Sequence, residues 1–340
     1  MERVLESDHY ILGKEVDALE KEVAEFAGMS YGIGVANGTD AITLALLYIR
    51  YNRSVHKDGA LVATVANSAP ATVVAIRRAG CIPVFVDVLS NGLMDPADLK
   101  RKMHGKIMAV VPVHLYGQIA DMWEIDEICK QYDTPIVEDA AQALGSLNEF
   151  KSDRLKARCV SFYPTKNLGA IGDGGMILTD NKFVDTIVRS LRNYGMDGTG
   201  NVLLHRGFNS RLDELQAAIL RERLKDLLMY SYQRQTIAAK YFQMLHPMAV
   251  HRTFSNQENY HLFTIKHPNR RHLQDVLKGK KIETKVHYPV PAHKYTTEHM
   301  YVTLPETERH CAEVLSLPLW PGMETADIVR VCKVVNESYA

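Results

Sequence analysis

One lysine, Lys166, stands in the run Ser161-Phe162-Tyr163-Pro164-Thr165-Lys166-Asn167-Leu168-Gly169, among hydroxyls and ahead of a glycine-rich stretch over 169–175. It lies between two apolar runs, 159–163 and 176–178, rather than among other charges. An amine so placed suits covalent chemistry with a carbonyl, although lysines at strand ends are also commonly just solvated. Upstream, Pro135-Ile136-Val137-Glu138-Asp139-Ala140-Ala141-Gln142 reads as a short apolar strand that ends in two adjacent carboxylates. Successive strand side chains point to opposite faces, so only one of the two acids faces the crevice beyond the strand's carboxyl end, where parallel α/β sheets bind ligands. Solvated acids capping a strand are the plainer alternative. A lysine that forms a Schiff base and a carboxylate that keeps a ring nitrogen protonated are the pair that pyridoxal 5'-phosphate requires.

Such a cofactor also needs a phosphate cradle, and Gly34-Val35-Ala36-Asn37-Gly38-Thr39-Asp40-Ala41 offers one. The stretch 41–50 is rich in Ala, Leu and Ile without Gly or Pro, which predicts a helix starting near Gly38 or Thr39. Its free amides and positive dipole end would face an anion. An ordinary turn with a helix cap reads the same way. Ser161 adds a second hydroxyl that could reach the same phosphate.

The elements that must position these groups follow a βα alternation. The pattern predicts helices over 13–27, 72–79 and 123–132 and strands over 61–65, 83–87 and 107–113, before the strands that carry Asp139 and lead to Lys166. Short apolar runs interleaved with helices imply an α/β domain with a mostly parallel sheet covered on both faces. A long helical stretch over 212–245 leads away from it. From residue 225 the pattern becomes that of a smaller α+β unit, with strands over 260–265 and 282–287 and a helix over 271–278. The expected domains are therefore 1–224 and 225–340. His287, Tyr288 and His293, around Pro289 and Pro291, could meet a sugar hydroxyl or a nucleotide phosphate, or could simply be exposed on a proline-braced turn.

Composition narrows the function class. Among 340 residues, 40 Lys and Arg balance 40 Asp and Glu, which argues against a nucleic-acid or membrane surface held by bulk charge. No apolar run approaches the ~20 residues of a membrane span, and Met1-Glu2-Arg3 leads into charged sequence rather than a secretory signal. A soluble, cytoplasmic protein is expected. Cys81, Cys129, Cys159, Cys311 and Cys332 are odd in number and widely spaced, as reduced core thiols are, and the scattered histidines give no metal-ligand spacing.

Taken in order, seven segments resemble the DegT/DnrJ/EryC1/StrS family of sugar aminotransferases, within the fold type I (aspartate aminotransferase) superfamily. They are Asn37-Gly38-Thr39-Asp40-Ala41, Pro83-Val84-Phe85-Val86-Asp87, Val137-Glu138-Asp139-Ala140-Ala141-Gln142, the stretch 161–175, the stretch 207–218 around Asn209, His287-Tyr288-Pro289 with Pro291 and His293, and Ser316-Leu317-Pro318-Leu319. The resemblance implies a large domain with a mostly parallel seven-stranded sheet flanked by helices, and a smaller C-terminal α+β domain. It implies that Lys166 is the Schiff-base lysine and the proton carrier, that Asp139 pairs with the pyridinium nitrogen, and that Gln142 lies near the ring's phenolic oxygen. Gly38, Thr39 and Ser161 would hold the phosphate, and Asn209 would reach the phosphate of the neighbouring subunit in a homodimer with shared sites. The implied reaction moves an amino group from an amino acid, glutamate in most such enzymes, to a keto sugar linked to a nucleotide, through pyridoxamine 5'-phosphate.

Two departures from the family pattern accompany the match. The segment Ala66-Asn67-Ser68-Ala69-Pro70-Ala71-Thr72 places Ala69 where the family sets an aromatic ring against the cofactor's face. His114 and Tyr116 are candidate replacements for that ring. The family also carries a longer segment ahead of Val4-Leu5-Glu6-Ser7 than this sequence does. Three other readings compete. A sugar dehydratase or deoxygenase of the same fold would replace the lysine with histidine. A regulatory paralogue would not need the Lys166, Asp139 and Gly38 set, and an oxidoreductase would show a Gly-x-Gly-x-x-Gly turn after its first strand.

Overall fold

The computed structural model describes residues 1–54, 58–146, 149–202, 204, 207–295 and 302–339. Its strands are β1 (Tyr31–Val35), β2 (Ala60–Val65), β3 (Cys81–Val86), β4 (Ile107–Val111), β5 (Ile136–Asp139), β6 (Leu155–Ser161), β7 (Gly175–Thr179), β8 (Phe263–Lys266) and β9 (Val314–Leu317). The helices are α1 (Glu2–Ser7), α2 (Lys14–Phe26), α3 (Gly38–Asn52), α4 (Pro70–Arg78), α5 (Pro96–Lys102), α6 (Met122–Lys130), α7 (Lys182–Leu191), α8 (Glu214–Leu224), α9 (Leu227–Met244), α10 (Arg270–Gly279), α11 (Pro305–Glu313) and α12 (Thr325–Glu337).

A seven-stranded sheet in the order β1-β7-β6-β5-β4-β2-β3 forms the centre. β2, β3, β4, β5 and β6 run parallel, while β7 is antiparallel to both β6 and β1. Two reversals restore direction, so β1 also runs with β6. Its carboxyl end therefore reaches the same sheet edge as theirs. The ladder shows this directly: Val35 and Ser161 both pair with Gly175, and Asp139 pairs with Cys159. Every residue of β4 is buried, as expected of a strand with helices on both faces. α3, buried from Asp40 to Arg50, lies on the face lined by Ile33, Val62, Ala109, Val137 and Ile177.

The smaller unit is an antiparallel pair, β8 and β9. Ile237 and Tyr241 of α9, Leu273 of α10 and Val331 of α12 pack with Phe263 and Leu315 into its own apolar cluster. Three sequence expectations change here. The stretch 282–287 makes only an isolated bridge, Lys285 to Ser316, because the chain then turns away and the His287 carbonyl accepts from the Tyr116 hydroxyl. The strand expected over 260–265 shifts to β8, since the Tyr260 and His261 carbonyls face Arg234 and the Leu262 N–H bonds the Tyr116 carbonyl. The single helix expected over 212–245 breaks at Lys225 and Asp226. The break lets α8 follow α2 while α9 follows α12.

β1 and β9 were not foreseen as strands. Glycines disguise β1: Gly32 sits so close to the Glu20 carbonyl of α2 that a side chain would collide with it. No helix among the described residues is long and apolar enough to cross a membrane.

Candidate active site

Strand alternation separates the two acids of β5, as their sequence positions require. Asp139 Oδ2 accepts a hydrogen bond from Thr72 Oγ1 at 2.7 Å, and Oδ1 accepts from the Ala141 N–H at 3.2 Å. Its backbone is held too, with the N–H donating to the Pro112 carbonyl and the carbonyl accepting from the His114 N–H at 3.0 Å. Glu138 points to the opposite face. There its carboxylate is fully buried, pairs with the Arg158 guanidinium and lies 3.5 Å from His114 Nε2. Burial alone would raise its pKa, but the Arg158 charge and the His114 hydrogen bond outweigh that and hold it down at about 2. Asp139 and Glu138 thus lie on opposite faces of β5, and Glu138 is an internal ion-pair partner.

Lys166 follows the end of β6 in a tight loop. Its N–H donates to the Tyr163 carbonyl, and the Ala170 N–H returns to the Phe162 carbonyl, both at 2.8 Å. Gly169 allows the loop to close, because a side chain there would strike the Pro164 carbonyl. Burial pushes the Lys166 ammonium below its ordinary value, and the nearby Asp139 charge opposes the shift. Among the described residues no group hydrogen-bonds its Nζ. The next residue, Asn167, is gripped from the smaller unit: its Oδ1 lies 3.0 Å from His261 Nδ1, and its Nδ2 donates to the Asn259 carbonyl at 3.3 Å. Burial drives the His261 pKa well below the usual histidine value, and the Lys166 charge adds to that. Asn259 itself donates to the Gln142 and Leu144 carbonyls.

The third part is the start of α3. Asn37 caps it by accepting from the Asp40 N–H at 2.8 Å. A Cβ added to Gly38 would lie 2.8 Å from Ser161 Cβ, so the helix start presses directly on the end of β6. Asp40, the acid of the first turn, is drawn away by Arg78 and Ser210, each at 2.7 Å. Among the described residues no carboxylate then accepts from the Gly38 and Thr39 amides, so the helix start can meet an anion. A Gly38→Ala substitution should therefore wedge α3 from β6. We expect about 1–3 kcal/mol of destabilisation in a denaturant titration, together with weaker phosphate-dependent cofactor uptake.

The remaining residues singled out in the sequence divide. Gln142 joins the site, accepting from the Tyr116 N–H at 2.7 Å and facing the Tyr288 hydroxyl at 3.4 Å. His287 Nδ1 lies 2.8 Å from Ser316 Oγ, and its pKa is lowered by burial and by the charges of Lys285 and Lys166. His293 is held instead by Glu308 Oε1 at 3.1 Å and packs against Phe85. Asn209 is exposed beside buried Ser210. Ala69 caps α4 and offers no ring. Neither suggested substitute is free to cover a cofactor: His114 Nδ1 accepts from the Ala120 N–H on Glu138's face, and Tyr116 is fully buried with its hydroxyl on the His287 carbonyl and His310.

Thr72, Asn259 and His261 were not singled out in the sequence. Thr72 lay in a segment already of interest, three positions past Ala69, where helical spacing could have pointed to it. His261 meets Asn167 across 94 residues, and no local pattern carries that contact.

At one sheet edge the chain thus gathers an amine on a loop, a buried carboxylate and a helix start pressed against a serine. These residues fit pyridoxal phosphate: a ring-nitrogen partner, a covalent anchor and a phosphate cradle.

Comparison with known proteins agrees with the geometry. The DegT/DnrJ/EryC1/StrS aminotransferase family profile matches residues 1–336. A dTDP-3-amino-3,6-dideoxy-alpha-D-galactopyranose transaminase of Aneurinibacillus thermoaerophilus is 39% identical over 344 residues, covering 99% of this chain and 93% of that protein. A "pleiotropic regulatory protein" of Geobacillus stearothermophilus is 37% identical over 354 residues, covering 100% of this chain and 93% of that protein. The crystal structure of NtdA from Bacillus subtilis with bound cofactor PMP superposes with a TM-score of 0.92 at 28% identity, covering 99% of this chain and 80% of that one. The chain belongs to the DegT/DnrJ/EryC1/StrS aminotransferase family and is a pyridoxal phosphate-dependent aminotransferase of fold type I.

Proposed function

We propose that this enzyme moves the amino group of an amino acid, glutamate by preference, onto a keto sugar carried by a nucleotide. The observation that carries the reading is the convergence of Lys166, Asp139 and the α3 start at one sheet edge. The name of the Aneurinibacillus relative supports the nucleotide-linked acceptor.

In this reading Gly38, Thr39 and Ser161 would hold the cofactor's phosphate, Asp139 would keep its ring nitrogen protonated, and Gln142 would serve its phenolic oxygen. The cofactor, when bound, supplies an electron sink for charge left on a substrate carbon. Lys166 anchors it and does the proton work. Once the donor's amine displaces it from the cofactor, its freed Nζ would take the donor's α proton and, in the return half, deliver a proton to the carbon being aminated. The lowered pKa suits both tasks, since a base must be neutral before it accepts. Thr72 fixes the Asp139 carboxylate, and the Asn259–His261 segment fixes the loop behind Lys166. His287 and Tyr288 are the candidate contacts to the acceptor, with His293 behind them.

The exposure of Asn209 supports a role in a neighbouring subunit's phosphate site, and hence a homodimer with shared sites. The helix break at Lys225 supports domains of 1–224 and 225–340. Five free, buried thiols are in keeping with a cytoplasmic setting.

The second reading is a regulatory protein, favoured by the name of the Geobacillus relative. Spectroscopy separates the two. The chain incubated with pyridoxal phosphate should develop a visible absorbance band that glutamate bleaches and a nucleotide-linked keto sugar restores. A chain that develops no band supports the regulatory reading.

A further inference from the structure

Tyr288, in the 287–292 segment of the smaller unit, lies between the 68–70 turn and Gln142. The strand-to-helix turn at Ser68, Ala69 and Pro70 carries no ring of its own. Tyr288 lines a cavity of about 400 Å³ together with Ser68, Pro70 and Val73, so it borders this turn from the side of the smaller unit. Its hydroxyl lies 3.4 Å from Nε2 of Gln142, three residues beyond Asp139. Burial, and then the charge of Asp139, push its phenol up to about 12. The side chain thus spans from the 68–70 turn toward Asp139 and Gln142.

The backbone on either side is fixed. The His287 carbonyl accepts from the buried Tyr116 hydroxyl, and His287 Nδ1 lies 2.8 Å from Ser316 Oγ. Past the prolines, the Ala292 N–H donates to the Ala66 carbonyl at 2.7 Å, stitching this segment to the strand end that leads into Ala69. A ring on a segment fastened on both sides is preorganised, which lowers the entropy lost when a ligand packs on it.

We propose that Tyr288, from the smaller unit, supplies the aromatic face for the cofactor ring that Ala69 cannot. This rests on the cofactor assignment above. Cofactor grip is then coupled to docking of the smaller unit, because the 287–292 segment brings the ring in. The ring itself supplies the contact, and the hydroxyl 3.4 Å from Gln142 Nε2 is not needed for it.

The test measures the dissociation constant for pyridoxal phosphate, by fluorescence, and the circular dichroism of the bound chromophore. Tyr288→Leu keeps apolar volume without a π face and should raise Kd about fivefold, the worth of one aromatic contact, while weakening the dichroic band. Tyr288→Phe keeps the ring and should stay within about twofold of wild type. Ala69→Phe added to Tyr288→Leu should recover the lost affinity, and added to wild type should gain little, since the two positions then compete for one space. A Tyr288→Leu protein that binds as tightly as wild type overturns the proposal, as does a Tyr288→Phe protein as weak as Tyr288→Leu. Wild-type protein that takes up no cofactor overturns the cofactor assignment itself, and the proposal with it.

Discussion

Lys166→Ala should lower turnover by at least ~100- to 10,000-fold, the usual worth of a positioned proton-transfer group, and leave the thermal melting temperature nearly unchanged. The two halves of this expectation come from different observations. The Lys166 Nζ makes no hydrogen bond among the described residues, and its loop is closed by backbone bonds at Tyr163 and Phe162 and by the Asn167 contacts to Asn259 and His261. Truncating the side chain therefore removes chemistry and little packing. A small primary amine added to the variant should restore part of the rate, since it can stand in for the missing base. Turnover within tenfold of wild type would mean that another group moves the proton.

The largest effect on stability should come from the other face of β5. Arg158→Met leaves the Glu138 carboxylate buried without its main countercharge, and removing one member of a buried pair costs about 3–5 kcal/mol. The double variant Glu138→Leu with Arg158→Met should be less damaging than Arg158→Met alone, because no unpaired charge is left behind. Chemical denaturation of the three proteins measures this. The same group sets part of the acid response. Glu138 has a folded pKa of about 2 against an ordinary 4.5, so its stabilisation is present above pH 4.5 and is lost as pH falls toward 2. The double variant should show a shallower loss of stability across that window. Equal slopes would show that Glu138 does not contribute to it.

The parts of the site that lie on short, patterned segments were legible in the sequence. β5 ends in two acids, and the period of two guarantees that they part. The start of α3 could be placed because Asn37 and Gly38 precede a run without breakers, and the helix does begin at Gly38 with Asn37 as its cap. The α/β alternation gave the sheet's character, but not β1, whose glycines accommodate α2 rather than fill a strand face. What stayed hidden joins distant segments. The Asn167–His261 contact and the Tyr288–Gln142 approach arise from docking of one unit on another, and the Thr72–Asp139 bond joins segments 67 residues apart within the larger unit; sequence spacing is silent on both. The strand expected over 282–287 failed for the same reason: its alternation suited a strand, but a hydroxyl on Tyr116 claims the His287 carbonyl.

The central claim is that Lys166 is the covalent anchor beside Asp139. Borohydride reduction of the chain loaded with pyridoxal phosphate, followed by proteolysis and mass spectrometry, addresses it most directly. One stoichiometric phosphopyridoxyl group is expected, on the peptide containing Lys166 and on no other lysine. A stoichiometric label on a different lysine, or no label on a chain that is folded and loaded, would contradict it.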